Sequence, residues 1–275
     1  MTSSSHPIAT TIWVWERCND DVSDLAGSIL HRPDCVEAVG RCGLDLNRLA
    51  HEIAAIQNLA PEVVLLWSRS SLVLGTDHAP VLNDTYEAAN FLGRPLGFAS
   101  ERKLEEAART GVLPRPLDTA KVLLLPQVTH LPDAAREGIE KLRAAGVHVV
   151  TIGAVPTHND CNQTRDIQNL ETLAKPRDAR ALFPLLTARA AAWGLPPTPQ
   201  VTDTAGQPLF GVEIRSAPYQ SGVVASVCNH LREPQSISIE GLPAGSRTDL
   251  ITGRTLGDTI TAEPMVPLLI RAPGK

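Results

Sequence analysis

Apolar residues follow two rhythms along this chain, and the change near Leu195-Pro196-Pro197-Thr198-Pro199 sets the expected architecture. Before that run, apolar strands alternate with helical patterns. Thr10-Thr11-Ile12-Trp13-Val14-Trp15 reads as one buried strand. From Asp45, a plausible cap, Leu46, Leu49, Ile53, Ile56 and Leu59 or Ala60 recur at three and four residues, one face of a helix. Glu62-Val63-Val64-Leu65-Leu66-Trp67 is a continuous apolar run of the kind found in a strand covered on both faces. A helix around Ala79 to Leu92 precedes a second strand at Leu96-Gly97-Phe98-Ala99, and a helix from Glu101 to Arg109 precedes a third at Lys121-Val122-Leu123-Leu124-Leu125. Pro132 suits the first turn of a helix running to Ala145, Gly146 suits its left-handed end, and Val147 to Ile152 supplies a fourth strand. Arg177 to Trp193 carries Leu182, Leu185, Leu186 and Ala190 at helical spacing, with Pro184 predicting a kink or a helix start.

Strands alternating with helices call for right-handed crossovers. The expected fold class is therefore α/β: a flavodoxin/class I amidotransferase-like parallel sheet with helices on both faces. After the proline-rich run the helical period disappears. Candidate strands are Gly211 to Ser216, Gly222 to Asn229, Gln235 to Ile239, Arg247 to Ile251 and Val266 to Arg271, separated by Pro218, Gly241-Leu242-Pro243, Gly245 and Gly253. This pattern predicts a small antiparallel β-sandwich domain. The expected division is an opening segment over 1–60, the α/β domain over 61–195 and the β domain over 200–275.

Composition narrows the function classes. With 275 residues, 43% hydrophobic and 20% charged, the chain has ample material for a globular core. A formal charge of −5 argues against a broad polyphosphate surface, so no nucleic-acid partner is expected. No apolar stretch approaches the ~20 residues of a membrane helix. The first residues lack the basic start and cleavage site of a signal peptide, so no membrane association and a cytoplasmic location are expected. Cys18, Cys35, Cys42, Cys161 and Cys228 are scattered, without a C-x-x-C pair, and are expected to be reduced thiols.

Candidate chemistry is sparse. G-x-G-x-x-G, G-x-x-x-x-G-K-[ST] and G-x-S-x-G are missing, and Gly40-Arg41-Cys42-Gly43, ahead of the helix, has too few glycines to cradle phosphate. No cofactor is expected. An amidotransferase-like fold would carry a nucleophile just after a central strand. Taking Val149-Val150-Thr151-Ile152 as that strand puts Gly153 where a thiol is needed. Cys161 could pair with His158 only if its loop folded back, and His158 with Asp160 suggests no third metal ligand. A glycosidase needs two carboxylates flanking the scissile bond, usually at the strand ends of a barrel of roughly 250 residues. The predicted elements leave no room for one. Only Ile12-Trp13-Val14-Trp15-Glu16-Arg17 has the look of a barrel strand, placing an aromatic platform and a carboxylate at a rim; the alternative is that Trp13 and Trp15 simply pack and Glu16 pairs with Arg17 or water.

Three groups of residues together resemble the region after the barrel in β-galactosidases of glycoside hydrolase family 42. Trp13 to Arg17, with Arg32-Pro33 and Asp45-Leu46-Asn47-Arg48-Leu49, is similar to the last barrel strand and the helix leaving it. Val63 to Ile152, especially Leu123-Leu124-Leu125-Pro126 and Ala145-Gly146-Val147-His148-Val149-Val150, is similar to the amidotransferase-like trimerisation domain. Val227-Cys228-Asn229, Asp249-Leu250-Ile251-Thr252-Gly253 and Pro264 to Ile270 are similar to the terminal β domain. The resemblance implies hydrolysis by two Glu residues on earlier barrel strands, for which this chain has no counterpart. Of the family's sugar-contacting residues it places only Trp15 and Glu16. It further implies a homo-oligomer, by resemblance a trimer, or a separately encoded barrel as partner, with carbohydrate as ligand. The expected function is therefore a non-catalytic accessory and oligomerisation portion of such an enzyme. The alternatives are a stand-alone carbohydrate-binding module and a Cys161-dependent hydrolase.

Overall fold

The computed structural model describes residues 32–274; Trp13, Trp15, Glu16 and Cys18 lie outside them. The described residues fall into two units that part between Ile53 and Ala54. The first holds α1 (Pro33–Arg48) and the start of α2 (Ala50–Gln57). The predicted helix from Asp45 is thus two helices. The first begins twelve residues earlier than Asp45, with Pro33 in its opening turn, where a missing N–H costs nothing. Gly40 to Gly43 lies inside α1, where a Cβ on either glycine would meet no neighbour.

In the second unit, β1 (Val63–Trp67), β2 (Leu96–Ser100), β3 (Val122–Pro126), β4 (His148–Ile152) and β5 (Glu171–Leu173) form a parallel sheet in the order β2-β1-β3-β4-β5. That is the flavodoxin-like order. Alternation along the strands sends side chains to opposite faces. Val63, Leu65, Val122, Leu124, Val150 and Ile152 pack with α4 (His78–Asn90) and α7 (Ala179–Arg189). Val64, Leu66, Leu123, Leu125 and Val149 pack with α5 (Glu101–Thr110) and α6 (Asp133–Ala144). Leu65, Leu66, Leu123, Leu124 and Leu125 are fully buried, each contributing about 1.5–3 kcal/mol of transfer free energy. The expected helices on both faces are therefore present. A Cβ on Gly138 of α6 would lie 2.1 Å from the Leu104 carbonyl oxygen of α5, so this pair approaches as closely as backbone allows.

Two elements of the α/β layer escaped the sequence pattern, as did three short strands over 200–202, 255–256 and 259–262 in the β domain. The short α3 (Arg69–Leu74) is capped by Ser68, and β5 has only three residues. In α7, Asp178 caps the start by accepting from the Ala181 N–H, and Pro184 lies inside the helix.

β6 (Gln200–Thr202), β9 (Gln235–Glu240) and β12 (Thr259–Ala262) make one antiparallel sheet. β7 (Val212–Tyr219), β8 (Gly222–Asn229), β10 (Arg247–Asp249), β11 (Thr255–Leu256) and β13 (Leu268–Pro273) make the other, in the order β11-β10-β13-β8-β7. Val212/Ile214, Ala225/Val227, Ile237/Ile239, Ile260/Ala262 and Ile270/Ala272 meet in one core, a strict period of two. Buried Asn229 at the end of β8 donates to the carbonyls of Glu233 and Ala262. The preceding linker is held in place: Arg94, paired with Glu62 at 2.8 Å, also donates to the Pro196 carbonyl.

Candidate functional site

In an open parallel sheet the binding crevice lies beyond the carboxyl ends of the strands where the winding reverses. Here that point falls between β1 and β3. Ser68 follows β1 directly, Glu101 follows β2, and Gln127 to His130 follows β3. The crevice floor is therefore polar by sequence, and burial obliges each of its groups to find a partner.

Each does so within the chain. Ser68 Oγ donates to Glu101 Oε1 at 2.7 Å and accepts from the Ser71 N–H at 3.0 Å. Glu101 also accepts from the Ser70 N–H at 3.0 Å and the Ser70 hydroxyl at 3.2 Å. Ser71 Oγ accepts the N–H groups of Thr129 and His130, both at 3.0 Å, and donates to the His130 carbonyl at 2.9 Å. His78 Nε2 accepts from the Ser68 N–H at 3.0 Å, so its proton sits on Nδ1 and reaches the Pro126 carbonyl at 2.7 Å. Burial holds the His78 pKa below its ordinary 6.5, against the opposing pull of the Pro126 hydrogen bond and the Glu101 charge. A serine, a histidine and a carboxylate do meet here, yet not as a triad: the histidine acceptor is spent on a backbone N–H and never faces the Ser68 hydroxyl. The Ser68 proton is directed to the Glu101 carboxylate and not to the imidazole.

Above this floor lies a cleft of about 420 Å³ lined by Trp67, Ser70, Arg102, Glu105, Pro132 and Asp160. Beside the charged Arg69, Arg102, Glu105 and Asp160, three apolar side chains of its lining are open to solvent: Trp67 is 41% exposed, Val73 71% and Leu74 46%.

The elbow lies elsewhere than the sequence suggested. The central strand is β3, not β4, and the residue after it, Gln127, holds φ at +46°. This is the left-handed turn on which a nucleophile would be presented, and it carries an amide. The Gln127 side chain accepts from the Ala154 N–H at 3.2 Å. Gly153 also has positive φ, and a Cβ there would fall 2.2 Å from Gln127 Oε1, so its glycine makes room for this contact.

Cys161 and His158 are not brought together as a dyad. His158 pairs through Nδ1 with the Thr157 hydroxyl at 3.0 Å and stacks on His130 with ring centroids 5.2 Å apart. Cys161 is exposed on a turn built by Asn159, whose Oδ1 accepts the N–H groups of Cys161 and Gln163. Buried Arg136 anchors the same loop through the carbonyls of Leu131, Pro156 and His158. Among the described residues no three metal-ligating side chains gather. No described helix is long and apolar enough to cross a membrane. The predicted sugar contacts Trp15 and Glu16 lie outside the described residues.

The sequence reading missed Ser68, Ser71, His78, Glu101 and His130. A signal was available: Ser68-Arg69-Ser70-Ser71 and Glu101 each follow a strand directly.

No family sequence model matches the chain, and no curated protein sequence does. Solved structures do share its fold. A glycoside hydrolase family 42 exo-carrageenase from Bacteroides ovatus superposes with a TM-score of 0.72 at 17% identity, over 91% of this chain and 34% of its own. The β-galactosidase from Rahnella sp. R3 gives 0.67 at 12% identity, over 94% and 48%. The β-galactosidase from Bacillus circulans sp. alkalophilus gives 0.63 at 13% identity, over 90% and 47%. The chain thus has the fold of one part of family 42 glycoside hydrolases, spanning between a third and a half of their length.

Proposed function

We propose that this polypeptide is the non-catalytic accessory and oligomerisation portion of a family 42-like glycoside hydrolase of carbohydrate metabolism. Hydrolytic carboxylates come from a barrel outside these residues, and this region holds copies together, as a trimer by resemblance. One observation carries the reading. At the crevice where such a sheet would work chemically, Ser68, Ser71, His78 and Glu101 satisfy one another and the backbone, while Trp67, Val73 and Leu74 around it stay exposed. Polar groups consumed internally beside an open apolar rim suit docking better than turnover.

Sedimentation of the purified chain tests this. The wild type is expected to associate, and Trp67→Asp with Val73→Asp to yield monomer with an unchanged far-ultraviolet spectrum. A wild type that stays monomeric at every concentration, or that hydrolyses nitrophenyl β-galactoside on its own, would overturn the proposal.

A further inference from the structure

A second pocket, of about 560 Å³, opens where the α/β layer meets the β domain, lined by Asn83, Tyr86, Asn90, Phe91, Glu213 and His230 together with Glu87. On α4, residues 83, 86, 87 and 90 recur at three and four, which puts them on one helix face. Facing them, Glu213 comes from β7 and His230 follows β8, its N–H donating to the carbonyl of Gly211, just before β7, at 2.8 Å.

The walls are fixed before any ligand arrives. Arg215 donates to the Asn90 carbonyl at 2.6 Å, to the Asn90 side-chain oxygen and to the Ile214 carbonyl at 3.1 Å, and it lies 3.5 Å from Glu213 Oε1. The other Glu213 oxygen meets His230 Nε2 at 3.1 Å. Glu213 is thus held from both sides, with its side chain still 26% exposed. Asn90 spends its oxygen on Arg215, which leaves its amide N–H groups as donors. The side chains of Asn83, Tyr86 and Glu87 make no hydrogen bond among the described residues. Tyr86 leans on Phe98 with ring centroids 5.5 Å apart and remains 44% exposed, so one aromatic face is free.

From this geometry we infer that the junction pocket binds a neutral saccharide. The chemistry selects the class by elimination. Glu87 and Glu213 outnumber the Arg215 guanidinium, which Asn90, Ile214 and Glu213 already engage, so phosphates and carboxylates meet a repulsive field. A purely apolar ligand would desolvate two carboxylates without giving them a donor. An ammonium ion gains nothing from the Asn83 and Asn90 amide N–H groups. A ring of hydroxyls can give to Glu87 and Glu213, receive from the amides, and lay its C–H face on Tyr86. The inference stands on this pocket alone and does not depend on the oligomerisation reading.

Nuclear magnetic resonance titration of the full chain decides it, with methyl glycosides of galactose, glucose, mannose and xylose, lactose, choline and inorganic phosphate as probes, read at His230 and Tyr86. At least one glycoside should shift both side chains saturably. Tyr86→Ala should weaken that binding roughly tenfold, and Asn83→Ala a few-fold; both sites are on the surface, so fold is retained. No response to any glycoside, saturable choline or phosphate binding in place of sugar, or sugar affinity unchanged in both variants would each overturn the inference.

Discussion

The crevice beyond β1 and β3 and the pocket between α4 and β7 contain similar groups, a carboxylate, a histidine and hydrogen-bonding side chains, and use them in opposite ways. In the crevice Glu101 and His78 are buried and their hydrogen bonds end on the chain itself. In the junction pocket Arg215 and His230 position Glu213, while Asn83, Tyr86 and Glu87 face open space. Satisfied buried networks rigidify a fold; fixed polar groups beside empty volume are prepared for a ligand. The buried groups beyond β1 and β3 therefore serve the fold, while fixed polar groups beside empty volume stand at the layer boundary.

That contrast breaks first if the crevice tolerates substitution. Ser71→Ala removes the acceptor of the buried His130 N–H and the half-buried Thr129 N–H, and should cost about 2–4 kcal/mol, measured as a drop in urea midpoint at unchanged slope. A loss near zero would mean that the floor is hydrated and open. In the junction, Arg215→Leu should cost less, about 1–3 kcal/mol by the same measurement, because Glu213 and Asn90 can turn to water.

A smaller effect follows from pH. Protonation of His78 would place a second proton on Nε2, against the Ser68 N–H it now accepts. Its folded pKa is depressed by burial, so the unfolded chain binds the proton first. The stability contributed is complete above the unfolded value of 6.5 and is lost as pH falls from there through the folded value. The wild-type urea midpoint should therefore fall between about pH 7.5 and about pH 5.5 more steeply than that of His78→Gln, which cannot titrate. Parallel slopes in the two proteins would show that His78 is already hydrated.

The difference between the regions also explains what could be read in advance. β1, β3 and β4 were legible because strands covered on both faces need unbroken apolar runs such as Val63 to Leu66 and Val122 to Leu125. β5 and β6, at three residues each, take their stability from neighbours already in place and leave no periodic trace. α1 was hidden by Gly40 and Gly43, which interrupt a helical pattern that buries no side chain. Strand order is the deeper loss. The alternation implies a parallel sheet without saying which strand is central, so the elbow was placed at Gly153 instead of Gln127. The crevice network and the junction pocket both join residues far apart in sequence, Ser68 with His130 and Asn90 with Arg215, and only topology brings those together.

The smallest expected effect is the most discriminating. Tyr86 and Asn83 lie on the exposed face of α4, and neither hydroxyl nor amide is bonded within the described residues. Tyr86→Ala forfeits one tilted contact with Phe98 and gains helix propensity, so the two terms nearly cancel. Asn83→Ala gains propensity with no hydrogen bond lost. Both variants should keep the urea midpoint within about 0.5 kcal/mol of the wild type. A midpoint that fell as far as that of Ser71→Ala would mean that the helix face is packed against something in solution, and the junction would then be a second structural floor.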